Sequence, residues 1–149
     1  MPQSAIAVAS DHAGFDLKEI LKRDLQSAGH EVLDLGTGST ESVDYPDFGK
    51  AVADAVASGR AARGVIVCGT GIGISIAANR NPRIRAAVVH DATSARLARQ
   101  HNDANVVAFG QRLIGVETAR EALQVFLKTG WDGGRHVRRV EKLSKGCQK

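Results

Sequence analysis

Residues 64–79 read GVIVCGTGIGISIAAN, from Gly64 to Asn79. The stretch opens on a compact β-branched run, 64–67, that reads as a buried strand ending at Cys68. It closes on Ser75 to Asn79, small and apolar residues that read as a helix. Between them, Cys68-Gly69-Thr70-Gly71-Ile72-Gly73 places three alternating glycines at a strand-to-helix junction. Glycine there admits positive φ and a close ligand, and successive N–H groups opening a helix form a nest for negative charge. Two common phosphate loops do not fit. The loop lacks the Gly-Lys-Ser/Thr ending of a nucleotide-triphosphate loop, and Ile76 stands where a dinucleotide fingerprint read from Gly71 needs Gly or Ala. That fingerprint also belongs after a first strand, whereas this one follows the third.

Working outward, the same alternation runs along the chain. The run 5–9 (AIAVA) is a strand, and Leu17, Ile20, Leu21 and Leu25 recur with helical spacing until Gly29. Residues 31–35 form a second strand. Pro46 suits a first helical turn, with Phe48, Val52, Ala55 and Val56 inward and Gly59 at the end. Residues 84–89 and 105–109 are the fourth and fifth strands. Helices follow at 93–100 and at 116–127, the latter with Ala119, Leu123, Phe126 and Leu127 inward. A basic helix over 135–144 ends the pattern, with Val137, Val140 and Leu143 as its apolar stripe.

Strand–helix alternation with near-continuous apolar strands predicts a three-layer α/β/α fold, a doubly wound five-stranded parallel sheet covered on both faces. The 149 residues, without linker or repeat, are expected to form one domain, 1–149. Aromatics make up only 4% of the chain, so Ala, Val, Ile and Leu must build the core. No segment approaches the length of a membrane span, and the N-terminus lacks the features of a secretory signal. Cys68 and Cys147 make no disulfide or metal-ligand pattern, and a cytoplasmic location is expected. The net charge of +4 is a weak pointer to anionic partners. More telling is the tail after Trp131, which carries Arg135, Arg138, Arg139, Lys142, Lys145 and Lys149 against Asp132 and Glu141.

Ligands of such sheets bind beyond the carboxyl ends of the strands, near a topological switch point. Polar residues gather there: Asp11 and His12 after the first strand, the loop after the third, Gln111 and Arg112 after the fifth. Cys68 is either a small core residue or, beside a helix N-terminus that favours the thiolate, a base able to take a proton from carbon. The N–H groups and the Thr70 hydroxyl would then stabilise an oxyanion on the same substrate. Asp11 and His12 either begin the next helix or hold a sugar hydroxyl. His101 either complements a helix C-terminus or moves protons. Arg135 and Arg139, four apart, lie on one helix face and either form a solvated basic surface or fork around a phosphate. Tyr45, before a helix, is a lid residue or a plain staple. Cys147 has no specific role.

Four motifs together resemble a known family. SDHAGF (10–15), CGTGIGISIAANR (68–80), RQHNDANVVAFGQR (99–112) and GGRHVRRV (133–140) are similar to the ribose-5-phosphate isomerase B / galactose-6-phosphate isomerase family, in order and across essentially the whole chain. The resemblance implies interconversion of ribose 5-phosphate and ribulose 5-phosphate without metal or organic cofactor, and a sheet of order 2-1-3-5-4. It implies that Cys68 shuttles the proton between C1 and C2, with Thr70 and the backbone of Gly69, Gly71, Ile72 and Gly73 stabilising an enediolate. His101, assisted by Asp11, would open the furanose ring, and Asn102 would bind substrate. His12, Arg112, Arg135 and Arg139 would serve the phosphate, with His136 nearby. Some members carry Ser in place of this cysteine and a glutamate base after the loop. Ile74 occupies that place here, so the cysteine version applies. The family also implies a homodimer or a tetramer whose sites span the interface.

The competing expectations are a hexose 6-phosphate isomerase, a sensor that binds sugar phosphate without converting it, and a nucleic-acid binder using the basic tail. Few aromatics and no reader motif count against nucleic acid. Nothing in the sequence points to a membrane partner.

Overall fold

In a computed structural model, residues 5–146 are described; Cys147 and Lys149 lie outside them. Five strands form one parallel sheet of order β2-β1-β3-β5-β4, as the family resemblance implies. They are β1 (Ala5–Ser10), β2 (Val32–Asp34), β3 (Ala61–Cys68), β4 (Ala86–Val88) and β5 (Val106–Gly110). The helices are α1 (Phe15–Ser27), α2 (Tyr45–Ala57), α3 (Ile72–Ala78), α4 (Ala92–Asn102), α5 (Val116–Lys128) and α6 (His136–Lys145).

Side-chain alternation along the strands divides the core into two layers. Ile6, Val8, Val65, Val67, Val107 and Phe109 pack on the face carrying Leu17, Leu21 and Leu25 of α1, Ala95 of α4 and Phe126 of α5. Ala7, Ala9, Ile66, Cys68, Val106 and Ala108 face Val52 of α2 and Ile74 and Ala78 of α3. Three layers result, and Cys68 emerges on the α2/α3 side.

Besides shifts of a few residues at element ends, such as β3 beginning at Ala61 instead of Gly64, the structure departs from the sequence expectation in α1, β4 and α4. The apolar spacing of α1 marks Ile20 for the core, yet Lys18 is the fully buried residue and Ile20 is only half-buried. The Lys18 ammonium donates to Asp34 Oδ1 at 3.0 Å and to the Thr37 carbonyl at 2.7 Å, which compensates its desolvation and ties edge strand β2 to α1. The fourth strand is three residues rather than six. Side-chain amides replace the ladder at its start: Arg85 N–H donates to Asn105 Oδ1 and Ala86 N–H to Asn79 Oδ1. Helix α4 runs through Asn102, not Gln100, so His101 and Asn102 sit in its last turn.

A candidate active site in two halves

Order β2-β1-β3-β5-β4 reverses direction between β1 and β3, and Asp11, His12 and the loop from Cys68 lie at the carboxyl ends of those two strands. An open cleft of about 490 Å³ there is lined by Asp11, His12, Tyr45, Cys68, Thr70 and Arg112, among others. Gly69, Ile72 and Gly73 also line it.

Each lining group is fixed by its own local reason. Asp11 ends β1 and caps the short 3-10 turn His12–Gly14, its Oδ1 accepting the Gly14 N–H at 3.1 Å. His12 Nδ1 accepts the Val43 N–H at 3.1 Å, which leaves the ring proton on Nε2 when the imidazole is neutral. Cys68 is 4% exposed, and the Gly71 N–H points at its sulfur at 3.1 Å, a contact that stabilises negative charge there. That contact needs the positive φ of Gly71, 78°, as helix N-cap. The Ile72 N–H donates to Thr70 Oγ1 at 3.2 Å. Two amides of the glycine loop are therefore engaged within the loop, one of them at the sulfur.

Tyr45 opens α2 and lays its ring against Gly73, where a Cβ would come within 2.6 Å of it. Arg112 follows β5, and its guanidinium overlies Gly69; a Cβ there would lie 3.2 Å from Nη1. The backbone fastens this arrangement, with Gln111 N–H on the Cys68 carbonyl and Arg112 N–H on that of Gly69. The Gln111 side chain turns away and accepts the Leu17 N–H at the start of α1, a structural role. Ile76, one turn after Ile72, also lines the cleft and was not marked by the sequence. Its only signal is that Ile72 and Ile76 share a helix face, and both are about half exposed.

The remaining expected residues assemble elsewhere. His101 and Asn102 end α4, and Arg135, His136 and Arg139 lie at or near the start of α6. The His101 and His136 rings stack with centroids 4.5 Å apart and planes 16° apart; Trp131 lies tilted 6.0 Å from His136. Desolvation, with the neighbouring Arg135 charge, pushes the His136 imidazole below the usual histidine range. Asp103 caps α4 in the left-handed region (φ 46°) and is gripped by Arg99 at 2.9 Å and Arg85 at 3.3 Å. Arg99 is buried and also donates to the Thr129 and Ala104 carbonyls, which joins the end of α4 to the segment before α6.

None of these tail and α4 residues lines the Cys68 cleft. The reason is topological. Helix α4 leaves the carboxyl edge after β4 and must return to the opposite edge to begin β5, a run of about 16 Å over 11 residues. His101 and Cys68 of one chain are thus at opposite ends of the sheet.

A parallel α/β sheet with a cysteine, a carboxylate, an imidazole and a guanidinium around a switch-point cleft is the framework of an acid–base enzyme. Known proteins narrow the class. Residues 6–143 match the model of the ribose/galactose isomerase family. Ribose-5-phosphate isomerase B of Escherichia coli K12 is 48% identical over 139 residues, covering 93% of each chain. Two solved structures superpose with TM-scores of 0.94: the ribose-5-phosphate isomerase B of Clostridium thermocellum (50% identity, 95% of each chain) and that of Thermotoga maritima (51%, 95% of this chain and 98% of that one). The chain belongs to the ribose/galactose isomerase family and is an isomerase. Among the described residues, no helix is long and apolar enough to cross a membrane.

Proposed function

We propose that the whole chain, 1–149, works as one sugar-phosphate isomerase domain that interconverts D-ribose 5-phosphate and D-ribulose 5-phosphate. The observation that carries this reading is the Cys68 sulfur in the cleft, held by the Gly71 N–H, with Asp11, His12 and Arg112 around it. The names of the relatives agree with it.

In this reading two copies associate, in a dimer or a larger cytoplasmic assembly, so that His101 of one reaches the cleft of the other. His101 gives a proton to the ring oxygen while the C1 hydroxyl proton passes to Asp11, and the furanose opens to the aldehyde. The Cys68 thiolate takes the proton from C2, and the electron pair moves to the C1 oxygen as an enediolate. Thr70 and the amides of the loop stabilise that charge. The O2 proton passes to O1, and the Cys68 thiol returns its proton to C1, leaving the ketone at C2. Arg112 and His12, with Arg135 and Arg139 of the other copy and His136 beside them, hold the phosphate, and Asn102 holds a sugar hydroxyl. No cofactor takes part in any of these steps, and neither nucleic acid nor membrane is a partner. The half-exposed Ile72 and Ile76 rim the cleft and suit coverage by a second copy.

Deuterium exchange tests the chemistry directly. Wild-type protein in D₂O should incorporate deuterium at C2 of ribose 5-phosphate, and binding without incorporation would sink the isomerase reading in favour of a sensor. A second substrate, a hexose 6-phosphate, is favoured by the family's span of ribose and galactose isomerases. Comparing kcat/KM on ribose, allose and galactose phosphates decides between them.

A further inference from the structure

His101 in the last turn of α4, Asp132 in the connection between α5 and α6, and His136 in the first turn of α6 bring one donor atom each to a single place. These atoms all lie within 4.8 Å of one another. We propose that the trio binds a borderline divalent cation of the Zn²⁺ class and that its occupation switches the isomerase off by engaging His101. The switching half rests on the reading of His101 as the ring-opening group; the binding half does not.

Two imidazole nitrogens and one carboxylate oxygen are a donor set for zinc and its neighbours, not for Mg²⁺ or Ca²⁺, which take oxygen. The three donors come from segments that are fastened together. The Asp132 N–H donates to the Gln100 carbonyl at 3.2 Å, and Arg99 holds the Thr129 carbonyl at 3.1 Å. The His136 N–H donates to the Gly133 carbonyl, and Trp131 closes one side of the His136 ring.

Donors around tetrahedral zinc stand about 3.3 Å apart, so the trio must contract by up to about 1.5 Å. The stacked rings must also tilt, because the cation has to lie in the plane of both imidazoles. Asp132 is exposed and free to follow. Arg135 at the N-cap and Arg138 and Arg139 on the same helix as His136 repel any cation, and Asp132 opposes them at the site. A cation held by charge alone would therefore be excluded, while one that forms coordinate bonds to imidazole is retained.

The test is calorimetric titration of the full chain with Zn²⁺ and, separately, Mg²⁺, combined with ¹⁵N spectra of the imidazoles. One Zn²⁺ per chain should bind, shifting the His101 and His136 ring nitrogens, and Mg²⁺ should not. Asp132→Ala should weaken Zn²⁺ by at least about 10-fold, with metal-free turnover unchanged. Cys68→Ala should keep the full Zn²⁺ affinity. Absence of stoichiometric Zn²⁺, equal affinity in Asp132→Ala, or loss of binding in Cys68→Ala overturns the site. Zn²⁺ should abolish turnover reversibly by chelator, and Asp132→Ala should need about 10-fold more Zn²⁺ for the same loss. Full turnover in the Zn²⁺-loaded wild type overturns the switch. A metal-free protein that exchanges no deuterium at C2 fails the proposed function and leaves the binding result standing, so the two failures separate.

Discussion

In the proposed reading Cys68 is the base, and its sulfur lies in the cleft with the Gly71 N–H of the glycine loop pointing at it. Removing it as Cys68→Ala should lower kcat for ribose 5-phosphate by about 10²–10⁴-fold while the melting curve stays close to wild type. Near-normal turnover would move the base elsewhere. Gly110, at the end of β5, offers a separate handle on the loop. A Cβ there would sit 2.5 Å from the Thr70 carbonyl oxygen, a backbone atom that cannot swing aside. Gly110→Ala should therefore displace the loop, destabilise the protein by about 1–3 kcal/mol and cost activity as well. A urea titration beside an assay separates the two effects. At this scale the sequence was informative, since glycine spacing and a strand-end cysteine are local signals. It did not show that two of the loop's amides are turned inward, because hydrogen-bond direction depends on a φ that sequence does not print.

Elements were readable wherever period and punctuation agreed, as in α5, and less so where side chains replace backbone pairing. The shortened β4 is the example: Asn79 and Asn105, ordinary loop residues in sequence, take over its first hydrogen bonds. The burial of Lys18 is illegible in sequence for a similar reason, as its partner Asp34 lies on another element. Burial opposes ionisation of the Asp34 carboxyl, but Lys22, the Gly36 N–H and Lys18 outweigh it and hold it below the usual range. A depressed carboxyl stabilises the fold above its unfolded value, about 3.9, and that contribution disappears as pH falls through the lower folded value. Asp34→Asn should thus flatten the stability profile at the acid end, below about pH 4, and lower stability uniformly at neutral pH. An unchanged acid limb in urea melts would refute the link. At the other edge, Asp103→Asn keeps the preference for positive φ but removes the charge between Arg85 and Arg99. A loss of about 1–3 kcal/mol is expected by thermal melting, with Asp103→Ala worse by the cap preference.

For the whole molecule, the order β2-β1-β3-β5-β4 was expected from family resemblance and was found. What no local pattern could show is that the expected site residues divide between opposite ends of one sheet. His101 and His136 are far apart in sequence and stack only because α4 and α6 meet. If the two halves meet across copies, two inactive variants should rescue each other. Mixing Cys68→Ala with His101→Asn chains, unfolded and refolded together, should restore about a quarter of wild-type activity. Random pairing makes half the dimers mixed, and each mixed dimer has one intact site. No recovery would mean that each chain completes its own site.

The length of α4 has a kinetic corollary. On the proposed roles, a chain whose α4 carries His101 about 16 Å away from the sheet edge where that helix begins would not serve its own cleft, and its specific activity would depend on how concentrated it is. Dilution should produce a progressive fall in rate per chain, and a jump back to high concentration should show a lag while pairs re-form.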